Sequence, residues 1–133
     1  MALKTKTITI ENGRDAGKQF IITEMPAAKI DNWAMRVLLA LAGAGIDVAE
    51  ANQGMMGLAR VAFAALGKIP HDVALPLLDE LLDCVQIIPQ GGRPRPLDLV
   101  SLNDVEDFAN LWMFRKEVFN LHIDFLQQGN GLN

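Results

Sequence analysis

After residue 26, the apolar residues of this 133-residue chain recur every three or four positions in four segments, and glycine or proline separates the segments. This spacing places apolar side chains along one face of an α-helix. The segments cover about 26–42, 48–66, 70–85 and 101–128, so the sequence predicts about four helices. The last segment is apolar on more than one face. We therefore expect this helix to be buried centrally or shared with a partner.

The first 24 residues have a different pattern, which predicts a β-hairpin over 3–24. Residues 3–10 and 18–24 are rich in Thr, Ile and Phe, which favour strands. Asn12-Gly13 lies between them and is a strong turn signal, because both residues tolerate positive φ. An isolated hairpin is only marginally stable in water. We therefore expect it to pack on the helices or to join a sheet in another chain.

The expected fold is mostly α, of the α+β type, with an N-terminal β-hairpin followed by about four helices. The expected organisation is a single domain over residues 1–133, with its helical part at 26–128. Two glycines and three prolines near 89–100 predict an extended loop. Ser101, followed three residues later by Asp104, predicts the start of the last helix.

Composition and charge restrict the possible functions. Half of the residues are hydrophobic, which excludes a disordered chain. The longest apolar run, Val37 to Ile46, has ten residues, whereas a membrane span needs about 20. The net charge is −4, without a dense basic cluster, which argues against nucleic-acid binding. We therefore expect a cytoplasmic protein that binds neither membranes nor nucleic acids.

The sequence contains no convincing catalytic or metal-binding motif. Residues 13–18, GRDAGK, have three residues between the glycines and no Ser or Thr after the lysine, so they differ from a phosphate-binding loop. His71 and His122 lie in different segments, where we expect surface or rim histidines. Cys84 is expected to be a small core residue. We expect no enzymatic activity, no cofactor, no metal and no small-molecule substrate.

The methionines and aromatic residues suggest a protein-binding surface, because methionine adapts its shape and is common on surfaces that bind helices. The candidates for this surface are Trp33, Met55, Met56, Phe63, Trp112 and Phe119. Arg93 and Arg95, in a stiff RPRP segment, are candidates for contact with an acidic partner.

Several phrases of the sequence resemble one protein family. Residues 7–47, TITIENGRDAGKQFIITEMPAAKIDNWAMRVLLALAGAGID, are similar to the N-terminal region of tail assembly chaperones of tailed double-stranded DNA bacteriophages. The later segments DELLDCVQIIP, RPRPL and FRKEVFNLHIDFL resemble the second half of the same family. The resemblance covers nearly the whole chain and rests on helices and connecting phrases rather than on a chemical motif.

The resemblance implies a non-enzymatic protein of the host bacterial cytoplasm, encoded by a phage or prophage and absent from the mature virion. Its expected partner is the tape measure protein, with the tail tube protein as a second candidate and a homo-oligomer as a further option. One alternative is a structural tail protein, of the terminator or connector type, that forms a ring. A small helical DNA-binding regulator is a weaker alternative, since a basic recognition helix is missing.

Overall fold

The computed structural model describes residues 3–45 and 68–131, and side chains within 3–45 and 68–122. The chain forms two compact units, Met1–Glu24 with Glu80–Asp124 and Met25–Asp79 with Phe125–Asn133. The single domain expected over residues 1–133 stays a prediction. In chain order the elements are β1 (Thr5–Thr9), β2 (Gln19–Thr23), α1 (Ala27–Gly43), α2 (His71–Leu82), β3 (Val85–Ile88), β4 (Arg95–Pro96) and α3 (Phe108–Gly131).

The four strands form one antiparallel sheet in the order β1-β2-β3-β4. Phe20 of β2 lies opposite Ile8 of β1 and Ile87 of β3. Phe20 and Ile22 have no exposed surface, and Val85 and Ile87 are buried beside them. Alternate residues of a strand point to the same face, so these four side chains form the buried face of the sheet.

The expectation of a mostly helical fold with about four helices is wrong. The described residues contain three helices and a four-stranded antiparallel sheet, which together make an α+β fold. The sequence predicts a third helix that continues to about Val85, whereas α2 ends at Leu82 and β3 begins at Val85. Within this strand Val85 and Ile87 are buried whereas Gln86 and Ile88 are half-buried, which is the two-residue period of a strand.

The expected loop at 89–100 is also partly wrong, because Arg95–Pro96 pairs with β3 as the edge strand β4. Proline has no N–H to donate, so it is tolerated at a sheet edge, where one side of the backbone needs no partner. The second expected helix, at 48–66, lies outside the described residues.

The N-terminal hairpin is present, with β1 and β2 paired from Thr5↔Thr23 to Thr9↔Gln19. Its connecting loop contains two glycines with positive φ, Gly13 at 87° and Gly17 at 88°, a conformation that L-residues rarely adopt. The outer side of β2 pairs with β3 of the same chain. The hairpin is therefore stabilised by an intramolecular sheet.

Helix α3 contributes a buried face in the same unit as the sheet. Phe114 and Val118 have no exposed surface, and their spacing of four residues places them on one side of the helix. The ring centroids of Phe114 and Phe20 are 4.6 Å apart, in a tilted arrangement. His122 is also buried, with its Nδ1 2.9 Å from the carbonyl oxygen of Val118, so the expectation of a surface or rim position is wrong for this residue.

The other unit contains α1 and most of α2. Trp33, Val37 and Leu41 are buried along one side of α1. The Trp33 indole N–H donates a hydrogen bond of 2.9 Å to the carbonyl oxygen of Leu77. Among the described residues, no helix combines the length and the apolar character needed to cross a membrane.

Candidate protein-interaction site

A buried carboxylate in the hairpin loop fixes the start of α3. Asp15 has no exposed surface, and its Oδ1 accepts hydrogen bonds from the Glu106 amide at 2.8 Å and from Lys18 Nζ at 2.9 Å. Its Oδ2 accepts from the Asp107 amide at 3.1 Å and from Asn110 Nδ2 at 2.8 Å. One side chain therefore holds the segment before α3 and the first turn of the helix.

The hydrogen bonds to Asp15 favour its charged form. Burial alone would raise the pKa of this carboxyl group. The bonds from the Glu106 amide, Lys18, Asn110 and the Asp107 amide outweigh burial and lower the pKa to about 2. Asp15 therefore remains ionised at any physiological pH.

A second buried carboxylate holds the preceding loop. Asp104 is 5% exposed and forms a two-pronged ion pair with Arg95, with both N–O distances at 2.8 Å. The ion pair with Arg95 lowers the pKa of Asp104, against an opposing effect of burial. Asp104 Oδ2 also accepts from the Asp98 amide at 2.7 Å, and the Asp104 amide donates to the Asp98 carbonyl oxygen at 3.0 Å. These bonds close residues 98–104 into a loop.

Polar groups within this loop also form hydrogen bonds with one another. Asp98 Oδ1 accepts from the amides of Val100 at 3.2 Å and Ser101 at 2.8 Å, the pattern of an Asx turn. Asn103 has a φ of 49°, in the left-handed region that asparagine tolerates better than most residues. The loop backbone is therefore held in one conformation by its own side chains.

The hydrogen-bonded loop 98–104 and the start of α3 expose large apolar side chains to solvent. Val100 is 91% exposed and Leu102 is 60% exposed on the loop. Phe108 and Trp112, at 74% and 70%, lie one turn apart on the same side of α3. We call the following residues the 99–112 surface: Leu99, Val100, Leu102, Phe108 and Trp112. Large apolar groups that are exposed close together in the sequence, as here, are candidates for an interaction site.

The start of α3 differs from the expectation of a helix that begins at Ser101. Asp107 lies just before the first helical residue, and its Oδ1 accepts from the Ala109 amide at 3.1 Å. This is the position of an N-cap. Asp104 is held by Arg95 and so does not cap the helix. The residues expected to form the first turn instead form the exposed loop.

The structure distributes the predicted binding residues over different environments. Trp112 is exposed and belongs to the 99–112 surface, whereas Trp33 is 5% exposed in the interior of the other unit. Phe119 is half-buried. Met55, Met56 and Phe63 lie outside the described residues. A binding role for each of these side chains stays a prediction.

The two arginines of the RPRP segment differ in their environments. Arg93 is exposed, and its contact with a partner stays a prediction. The guanidinium of Arg95 already binds Asp104 of the same chain. Contact of Arg95 with an acidic partner would therefore compete with the bond that closes the loop.

Sequence reasoning missed both the exposed loop and the carboxylates that hold it. The run Leu97 to Asp104 alternates leucine and valine with Asp, Ser and Asn, a composition suited to turns as well as to a helix start. The contacts of Asp15 span more than 90 residues of sequence. No local pattern could therefore have shown its role.

Among the described residues, no group of three or more His, Cys, Asp or Glu side chains is arranged to hold a metal ion. Comparisons with protein-family models, with curated proteins and with solved structures yield no significant match to this chain.

Proposed function

We propose that this protein is a non-enzymatic binding protein that acts as a tail assembly chaperone of a tailed bacteriophage or prophage. Its client is the tape measure protein, which it keeps soluble in the host bacterial cytoplasm before the tail polymerises. The tail tube protein is a second candidate client. The chaperone is not retained in the mature virion.

One observation carries the proposal: large apolar side chains are exposed on a backbone that buried carboxylates hold in place. A loop that its own hydrogen bonds already hold in place loses less conformational entropy when a partner docks than a loop without such bonds. Exposed Trp and Phe side chains also supply much of the energy of protein interfaces. The resemblance of residues 7–47 to the phage family directs this binding surface toward a tail protein.

The proposal is tested by co-expressing the full chain with the tape measure protein encoded by the same phage or prophage. We expect a complex that co-purifies and keeps the tape measure protein in the soluble fraction. A Trp112→Ala variant should reduce recovery of the client, whereas Leu39→Ala, which removes a 65% exposed side chain from α1, should not. A tape measure protein that is soluble alone and never associates with the chain would reject the proposal.

A structural ring protein is the second candidate, and the edge position of β1 favours it. Exposed Thr5, Thr7 and Thr9 line this strand, and nothing in the described sheet pairs with its outer side. An edge strand can pair with a second copy. Light scattering that shows a closed ring, together with detection of the protein in purified virions, would favour this function over the chaperone.

A further inference from the structure

The chemistry of the 99–112 surface restricts the kind of segment that can bind there. The amides of Val100 and Ser101 already donate to Asp98, and the Asp98 amide already donates to Asp104. A partner strand that needs backbone hydrogen bonds therefore finds these donors occupied. The exposed apolar side chains remain available, and an amphipathic helix covers such groups with its apolar face.

The segment that carries this surface is acidic. Residues 97–114 contain four acidic residues and no lysine or arginine. Lys18 binds Asp15 and Glu106, and Arg95 binds Asp104. Asp98 and Asp107 form no ion pair within the described part of the chain, although Asp98 interacts electrostatically with Arg95, and both side chains accept only backbone hydrogen bonds there. The local balance is therefore negative.

Along the chain, Asp98 and Asp107 come before Trp112 and two basic residues follow it. Asp98 and Asp107 lie on the loop and just before α3, whereas Arg115 and Lys116 lie on the next helical turn after Trp112. Complementary charges across an interface favour one partner, and one orientation, over others. A bound helix would therefore place its basic residues over the loop.

We propose that the 99–112 surface binds an amphipathic helix with a stripe of large apolar side chains and lysine or arginine beside the end of the stripe that covers residues 98–107. This inference rests on the proposed function and names the chemistry of the client segment. Apolar burial supplies affinity, and the carboxylates of Asp98 and Asp107 select basic helices over acidic ones.

The test uses the full chain and three synthetic peptides of about 18 residues, roughly five helical turns. Two peptides share one leucine stripe, flanked at one end by lysine in the first and by glutamate in the second. The third keeps the lysines and scrambles the stripe. We expect calorimetry to show that the lysine peptide binds about tenfold more tightly than the glutamate peptide at low salt, with a smaller ratio in 1 M salt. The scrambled peptide should not bind measurably.

Matched variants separate local charge from net charge. The Asp98→Asn and Asp107→Asn pair keeps an oxygen that accepts the backbone hydrogen bonds, and should weaken lysine-peptide binding by roughly threefold to tenfold. The pair Asp31→Asn and Asp83→Asn removes the same charge from exposed positions elsewhere and should change affinity by less than about twofold. Circular dichroism of both pairs checks that the fold is retained.

Three outcomes would overturn the inference. One is equal affinity for the lysine and glutamate peptides. Another is equal weakening by the two double variants. The third is self-association that protects Trp112 without peptide, which would make a second copy the occupant. Binding of the tape measure protein without charge preference would reject the inference and leave the chaperone function intact. Tight binding of the lysine peptide without any association with the tape measure protein would do the reverse.

Discussion

At the scale of single residues, two buried aspartates determine the position of the 99–112 surface. Asp15 and Asp104 each accept several hydrogen bonds and each has a cationic partner, so their burial costs less than that of a lone charge. Removing one of these carboxylates leaves its hydrogen-bond donors without their acceptor. These two residues are therefore the most informative positions for mutation.

The lowered pKa of Asp15 makes stability depend on pH. Its pKa is about 2 in the folded chain and close to 4 when unfolded. Folding therefore favours the ionised form of Asp15. The ionised side chain adds about 2 kcal/mol to the free energy of unfolding above about pH 5, and this contribution is lost as the pH falls toward 2. Urea unfolding of the wild type and of Asp15→Asn across this range should show a shallower pH dependence in the variant. Asp31→Asn, at an exposed position, should retain the wild-type dependence.

The ion pair of Arg95 with Asp104 should control local order in the loop. Arg95→Lys keeps the charge and loses the two-pronged geometry. We expect faster hydrogen exchange at the amides of Asp98 and Asp104, because the bond between them depends on the orientation of the Asp104 carboxylate. Exchange at β2, where Phe20 is fully buried, should be unchanged and serves as the internal control. Equal exchange rates at the amides of Asp98 and Asp104 in the wild type and in the variant would show that the ion pair does not close the loop.

At the scale of elements, α3 has two faces with different roles. Phe114 contacts Phe20 of the sheet with no exposed surface, whereas Trp112, two positions earlier, is 70% exposed. The sequence of this helix is apolar on more than one side, and the structure buries one of these sides and exposes another. Its starting residue could not be predicted, because Asp104 suits both a helix cap and an ion pair.

The two faces of α3 give opposite predictions for two aromatic substitutions. Phe114→Ala should lower the free energy of unfolding by about 3–5 kcal/mol, since it opens a cavity against the sheet. Trp112→Ala should change this free energy by about 0.5 kcal/mol or less, because the side chain is mostly in solvent. Chemical unfolding measures both. Similar losses in the two variants would contradict the assignment of one face to the core and the other to a partner.

The limits of sequence reasoning are clearest in the sheet. The hairpin is predictable because Asn12-Gly13 joins two β-branched segments that are close in sequence. Strands β3 and β4 contain only four and two residues, and β3 pairs with β2 across more than 60 positions. A short apolar run does not distinguish a strand from a helix end until its pairing partner is known. The exposed loop could not be predicted for a similar reason, because the hydrogen bonds of Asp15 to residues 106–110 span more than 90 positions of sequence.

At the scale of the whole molecule, the two tryptophans report separately on its two units. Trp33 is 5% exposed and hydrogen-bonded in one unit, and Trp112 is exposed in the other. The chain contains no tyrosine, so intrinsic fluorescence comes mainly from these two residues. Intrinsic fluorescence can therefore report, without an added label, whether Trp112 on the 99–112 surface is exposed or covered.

Acrylamide should quench the fluorescence of the free protein in two classes. Trp112→Phe should remove the accessible class and leave the protected emission of Trp33. Addition of a client should shift the wild-type emission to shorter wavelength and protect the accessible class, since Trp112 then leaves water. A client that binds without changing this emission would place the interface elsewhere on the molecule.

The bonds from Asp15 to residues 106–110 also impose an order on biosynthesis. The hairpin emerges from the ribosome first, but its carboxylate has no amides to bind until more than 90 further residues have been made. Translation at about 5–20 residues per second therefore separates the two halves of this contact by several seconds. During this interval the nascent chain cannot display its apolar loop in the finished arrangement. The finished arrangement of the loop and the start of α3 therefore forms only after residues 106–110 have been made.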